Sequence, residues 1–166
     1  MQLVDEGKRV LVVLQQTYYI FEFLDRYKQC SSQNEIHGRV IALTGIETFS
    51  CSLRNERKSH PKWPQLGELY EKREAALKYD SLDKQRSEFK SINDQVFNLH
   101  EEIDGDIINE AQILIEVNTS IMLTQSKHLN QFNPDVQIID DVGIFNKSHC
   151  YAMLSQVFFL LSDHLF

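Results

Sequence analysis

The sequence predicts an α/β domain: a mainly parallel sheet covered by helices on both faces, with an α-helical hairpin inserted into it. Three observations carry this. Short β-branched apolar runs recur along the chain, beginning with Arg9–Gln15, and a strand buried on both faces of a parallel sheet reads as such a run. A charged stretch from Pro64 to Ile103 sets its apolar residues at Phe89, Ile92, Val96, Leu99 and Ile103, the 3, 4 spacing of a coiled-coil seam. After Gly105 strand-like and helix-like runs alternate, the order that yields parallel pairing through helical crossovers.

The elements follow in order. Arg9–Gln15 reads as a central strand. Thr17 can cap a helix whose apolar residues Ile20, Phe21, Phe23, Leu24 and Tyr27 recur at three-to-four spacing before Cys30, Ser31 and Ser32 break it. A second strand at Arg39–Leu43 completes a βαβ unit. Leu66, Leu69, Tyr70, Ala76 and Leu77 form the antiparallel mate of the seam, and Asp80 or Ser81 caps the second arm after a turn. Further strands are expected at 112–117, 136–139 and 157–161, with helices near 120–130 and 147–156. Residues 1–60 and 105–166 therefore make the α/β domain, and 61–104 the inserted stalk.

Composition narrows the classes. At ~100–200 residues per domain, 166 residues make one domain. The apolar run Val157–Leu161 is about a quarter of the ~20 residues a bilayer span needs. Met1–Arg9 has no apolar leader core. The expectation is a soluble chain without a membrane partner, in the cytoplasm or nucleus. Cys30, Cys51 and Cys150 fit neither a disulfide framework nor a zinc knuckle, so reduced thiols are expected. A net charge of -7 disfavours polyanions over the surface as a whole. The one basic cluster, Arg54, Arg57, Lys58 and Lys62 with Glu56 opposing, reads as a solvated connection.

Ligands of a parallel sheet bind at the carboxyl ends of its strands. There the sequence has Asp140-Asp141 after one strand and Ser162-Asp163-His164 after another. Paired carboxylates suit a hard cation, which one of them can hold directly or through water.

Taken in order, Gly7-Lys8-Arg9 through Thr17, the pair Asp140-Asp141, and Ser162-Asp163-His164 resemble the first motor domain of superfamily I helicases of the Upf-like group. The nearest likeness is to the zinc-finger-bearing, antiviral RNA-helicase branch. Thr17, Phe21, Glu22 and Leu24 fall at or beside places in that family's GKxxLVVxxTNxALDxFL stretch, and Gly45 echoes its next turn. The stalk matches in place and kind. Asn118-Thr119-Ser120-Ile121 echoes a TTxGA-like motif, Asp140-Asp141-Val142-Gly143 with Ser148-His149 the acidic-pair motif and its downstream His, and Ser162-Asp163-His164 a GDHxQ motif.

The resemblance implies an incomplete RecA-like fold of the P-loop NTPase type, an ATP-dependent helicase ancestry, ATP and Mg²⁺ as cofactors, and RNA or another single-stranded nucleic acid as partner. It implies Asp140 and Asp141 as the catalytic carboxylates, Asp140 on the metal and Asp141 on the attacking water. Asp163 and His164 would couple the cofactor site to nucleic acid, and Thr17, Tyr18 and Thr119 would line the RNA path.

The departures decide activity. No GxxxxGK followed by Ser or Thr occurs: Gly7-Lys8 is followed by Arg9, and Gln2 stands five before Gly7. Asp141 is a methylene shorter than the family's Glu, Ser162 replaces its Gly, Phe166 its Gln and Tyr18 its usual Asn. The expectation is a fragment or decayed copy of a helicase motor, inactive alone. Two other classes fit parts of the pattern. One is a non-catalytic interaction module whose hairpin seam receives a protein partner's helix. The other is metal-dependent hydrolysis by Asp140, Asp163, His149 and His164, with His149 read rather as a structural histidine.

Overall fold

Five short apolar runs pair edge to edge. β1 (Val10–Leu14), β2 (Val40–Ala42), β3 (Ile113–Val117), β4 (Val136–Asp140) and β5 (Phe158–Ser162) form one sheet in the order β2-β3-β1-β4-β5, with every neighbouring pair parallel. The computed structural model describes residues 2–14, 16–29, 39–44, 46–79, 81–117, 131–140 and 158–162. Every residue of β1 and β3 is buried, which is why VLVVL and ILIEV lack the polar alternation of a half-solvated sheet.

Side chains leave the sheet alternately, and each face carries its own core. On one face Leu11, Val13, Ile41, Leu114 and Ile139 meet the helices α3 (Leu53–Ser59), α4 (Trp63–Ala76) and α5 (Leu82–Glu110) through Leu53, Leu66, Ile103, Ile107 and Ile108. On the other, Val10, Val12, Leu14, Val40, Ile113, Ile115 and Val117 meet α1 (Gln2–Asp5) and α2 (Tyr18–Gln29) through Val4, Ile20 and Leu24. An α/β fold with both faces covered is therefore what the sequence encodes.

The hairpin is filled by its own two arms. Leu66 and Ala76 of α4 and Ile92, Val96 and Ile103 of α5 are buried in one continuous core, with Leu69, Tyr70 and Leu99 half-buried beside them. The seam expected to receive a partner helix is thus occupied within the chain. α5 is 29 residues long, about 44 Å at 1.5 Å per residue, and does not stop at Gly105. It runs on to Glu110, and its last turns lie against the sheet through Ile107 and Ile108. Ser81 is its N-cap residue, without a side-chain cap bond.

One local reading needs correction. The basic cluster belongs to a helix rather than a connection: Arg54, Arg57 and Lys58 lie on α3, Lys62 just precedes α4, and all four cations are ion-paired while keeping 29–55% of their side chains in solvent. Arg54 and Lys58 hold Glu47 at 2.9 and 2.8 Å, Lys62 holds Glu102 and Asp106 at 2.7 and 3.1 Å, and Arg57 meets Asp104 at 2.5 Å through two donors. The N-terminal residues also form a short helix that periodicity does not reveal. Gly7 ends it at φ +74, its N–H donating to the Val4 carbonyl while the Lys8 N–H donates to that of Leu3. That pair of bonds is the Schellman cap, which wants a left-handed residue. The helices expected near 120–130 and 147–156, and Cys30 and Cys150, lie outside the described residues. Cys51 is a buried free thiol, and burial pushes its pKa up.

Candidate functional site at the carboxyl edge of the sheet

Because every strand is parallel, all five carboxyl ends open on one edge. Parallel pairing puts Leu14, the last residue of β1, beside Val117 of β3, and Asp140, the last of β4, beside Ser162 of β5. The segments carrying Thr17, Asp140 and Ser162, the first and last of them 145 residues apart in sequence, thus begin from three adjacent strands. β1 is followed by α2 on one face, whereas the chain entering β4 passes Phe132 in the core of the other face. The connection that reaches β4 through Phe132 is the one that leaves β3, so the strands whose connections leave to opposite faces, and whose ends frame a crevice, are β1 and its neighbour β3.

α2 begins at this edge. The Gln16 and Thr17 carbonyls accept from the Tyr19 and Ile20 N–H groups at 3.0 and 3.1 Å, so the turn after β1 closes on itself and points Tyr18 outward. Tyr18 is 68% exposed and meets Tyr19 edge-on. Phe21, three residues on and hence on the same helix face, is also exposed and packs on Phe49 at 4.2 Å between ring centroids. The loop carrying Phe49 is held by Asn55, whose Nδ2 donates to the Glu47 and Phe49 carbonyls, while its N–H donates to the Ser52 hydroxyl at the α3 N-cap.

Of the expected site residues, Thr17 and Tyr18 therefore stand at the end of β1 and Asp140 at the end of β4. Asp141, Thr119, Asp163, His164 and His149 lie outside the described residues. Sequence reading passed over one carboxylate. Glu116 is fully buried one residue before the end of β3, beside Val13 of β1. A single acid inside ILIEV was the available signal, because Glu is almost never fully buried unless its charge is compensated.

Among the described residues no cradle for a magnesium nucleotide is built. A phosphate cradle needs free backbone N–H groups, and those of Gly7 and Lys8 are taken by the helix cap. They also lie before β1, at the amino edge. Among the described residues no three His, Cys, Asp or Glu side chains converge as a metal site.

At the amino edge lies a cavity of about 480 Å³, lined by Arg39, Glu56, Ser59, His60, Asp106 and Glu110 among others. Its polar groups are engaged with each other. Arg39 pairs with Glu56 at 2.9 Å and with Glu110. His60 Nδ1 accepts from the Lys62 N–H, and its Nε2 lies 3.5 Å from Asp106. This cavity is on the far side of the sheet from the expected chemistry.

No family model matches the chain, and no curated protein matches it. Among the described residues no helix is long and apolar enough to cross a membrane.

Proposed function

We propose that this chain is a degenerate part of a superfamily I RNA-helicase motor domain of the RecA-like type, which contacts single-stranded RNA through the carboxyl edge of its sheet and does not hydrolyse ATP by itself. The observation that carries the reading is the register of Asp140 with Ser162 on adjacent parallel strands. It makes neighbours of two motifs that the resemblance pairs and the sequence separates, and it sets both on the edge where Tyr18 is exposed.

Phosphoryl transfer rests on positioning and charge neutralisation by a phosphate loop, Mg²⁺ and an arginine acting together. This sequence has no such loop, so most of the phosphate-binding energy is missing. Asp140 and Asp141 remain as an acidic corner, and ATP with Mg²⁺ belongs to the ancestry rather than to this chain's chemistry. At the RNA face Tyr18 offers a ring for a base to stack on, worth about 1–3 kcal/mol per base, while Thr17 and Thr119 offer hydroxyls to phosphate or ribose.

Calorimetric titration with ATP and Mg²⁺ tests the loss of nucleotide chemistry. The expected result is no saturable binding below ~1 mM. A micromolar Kd would contradict it.

A further inference from the structure

We infer that the nucleic-acid track beginning at Tyr18 continues over Phe21 to a phosphate contact at Arg54 and Lys58, so that the edge takes an extended single strand with unpaired bases. This extension rests on the reading of the carboxyl edge as an RNA contact. Phe21 follows Tyr18 by one helical turn, and side chains three apart on a helix stand about 5–6 Å apart. The two rings are 68% and 47% exposed. Phe21 is held in place by buried Phe49, 4.2 Å away between ring centroids. Successive bases in a duplex strand rise by only ~3.4 Å and keep their faces stacked on one another. Two rings at the wider spacing suit the bases of an extended strand, one apiece.

Charge complementarity continues the track. Asn55 Nδ2 donates to the Glu47 and Phe49 carbonyls, both at 2.8 Å, which seats the loop under Phe21 on the first turn of α3. Arg54 and Lys58, four residues apart and so on one face of α3, both reach Glu47 of that loop, at 2.9 and 2.8 Å. They keep 55% and 45% of their side chains in solvent. One carboxylate between two cations leaves a positive charge over, in a chain of net charge -7. Glu22 and Arg26, on α2 beside Phe21, pair with each other at 2.9 Å and add none. Solvent-exposed ion pairs are weak, so Glu47 yields readily to a phosphate, which Arg and Lys bind through charge-assisted hydrogen bonds.

Other occupants fit less well. A partner helix needs an apolar stripe of several turns, but Ile20 and Leu24, the next apolar positions of α2, are buried in the domain's own core. Anchoring on anionic lipid takes a cluster of about 4–8 Lys or Arg, more than this face carries. Rings in series beside a surplus cation are what a single strand uses, since each nucleotide brings one base to stack and one phosphate to neutralise.

The test is fluorescence anisotropy of the full chain with a labelled oligouridine of about 15 nucleotides, run beside an RNA duplex, an abasic oligomer and polyglutamate. The duplex and the abasic oligomer should bind at least ~10-fold more weakly than the oligouridine. Phe21→Leu, which keeps an apolar cover on Phe49, should weaken binding ~5–100-fold at every salt concentration, as loss of one stacked base does. Arg54→Gln combined with Lys58→Gln should flatten the slope of log affinity against log salt by about 1.4, at ~0.7 per phosphate. Glu47→Gln, which frees both cations, should tighten binding ~5-fold. An unchanged circular dichroism spectrum checks that each variant folds. RNA binding that needs Tyr18 but is indifferent to Phe21, Arg54 and Lys58 would overturn the extended track and leave the Tyr18 contact standing. No RNA binding at all would overturn both. Equal affinity for the duplex or for polyglutamate would show a surface that reads charge alone, and would also overturn it.

Discussion

The Arg57–Asp104 pair joins α3 to α5 and gives the sharpest stability prediction. Asp104 is only 5% exposed at its side chain and receives two guanidinium donors at 2.5 Å, while Arg57 keeps 29% of its side chain in solvent. Arg57→Met removes the guanidinium and leaves a carboxylate in the interior, a change that costs ~3–5 kcal/mol when a pair is fully buried. Partial solvation of Arg57 favours the lower end, about 3 kcal/mol. For a chain of this size that is ~6–12 °C in Tm. Asp104→Leu leaves Arg57 free to turn toward water and should cost only ~1–2 kcal/mol. The double variant replaces the pair by apolar packing and should lie within ~1 kcal/mol of the parent. Urea unfolding with constant m-values reads the cycle. Additive single effects, with a coupling under ~0.5 kcal/mol, would refute the view that a buried ion pair seats the stalk on the domain.

Two further predictions concern the same scaffold. Gly7→Ala places a Cβ in open space at φ +74, so its cost is backbone strain alone, about 1–2 kcal/mol, and unchanged urea stability would contradict the helix cap. His100 donates to or accepts from the Tyr70 hydroxyl at 2.9 Å, and burial, then the Arg57 guanidinium, hold its pKa below the usual value against Asp104. On acidification the unfolded chain therefore takes up this proton first, from about pH 6.5, and stability falls as pH drops through the folded-state value. His100→Leu should flatten the stability profile between about pH 7 and 5, and an unaltered slope would show that His100 does not titrate this way.

Much of the fold was legible because burial on both faces leaves a compositional trace. Val10–Leu14 and Ile113–Val117 could hardly be anything but inner strands, and the 3, 4 stripe from Phe89 to Ile103 fixed the hairpin. α3 was not legible, because the partners that neutralise it lie far along the chain: Asp104 is 47 residues from Arg57, and Lys62 reaches 40 and 44 residues to Glu102 and Asp106. A window of sequence sees only the cations. α1 is four residues long, too short to show a period. At the candidate site the sequence supplies Asp140 and Ser162 but not their register, since strand order is a property of crossovers. Glu116 was hidden by the apolar run around it. The pairing of the hairpin arms was legible, since Leu66 and Ala76, read as the antiparallel mate, do fill the seam.

The most direct test of an RNA-contacting carboxyl edge is an amide NMR titration of the full chain with an oligouridine of about 15 nucleotides. The expected result is shift changes at Gln16–Phe21 and at the ends of β4 and β5, with Tyr18→Ala weakening binding by ~5–100-fold, the equivalent of one stacked base. No change at these positions with RNA at ~1 mM, or binding indifferent to Tyr18, would contradict it.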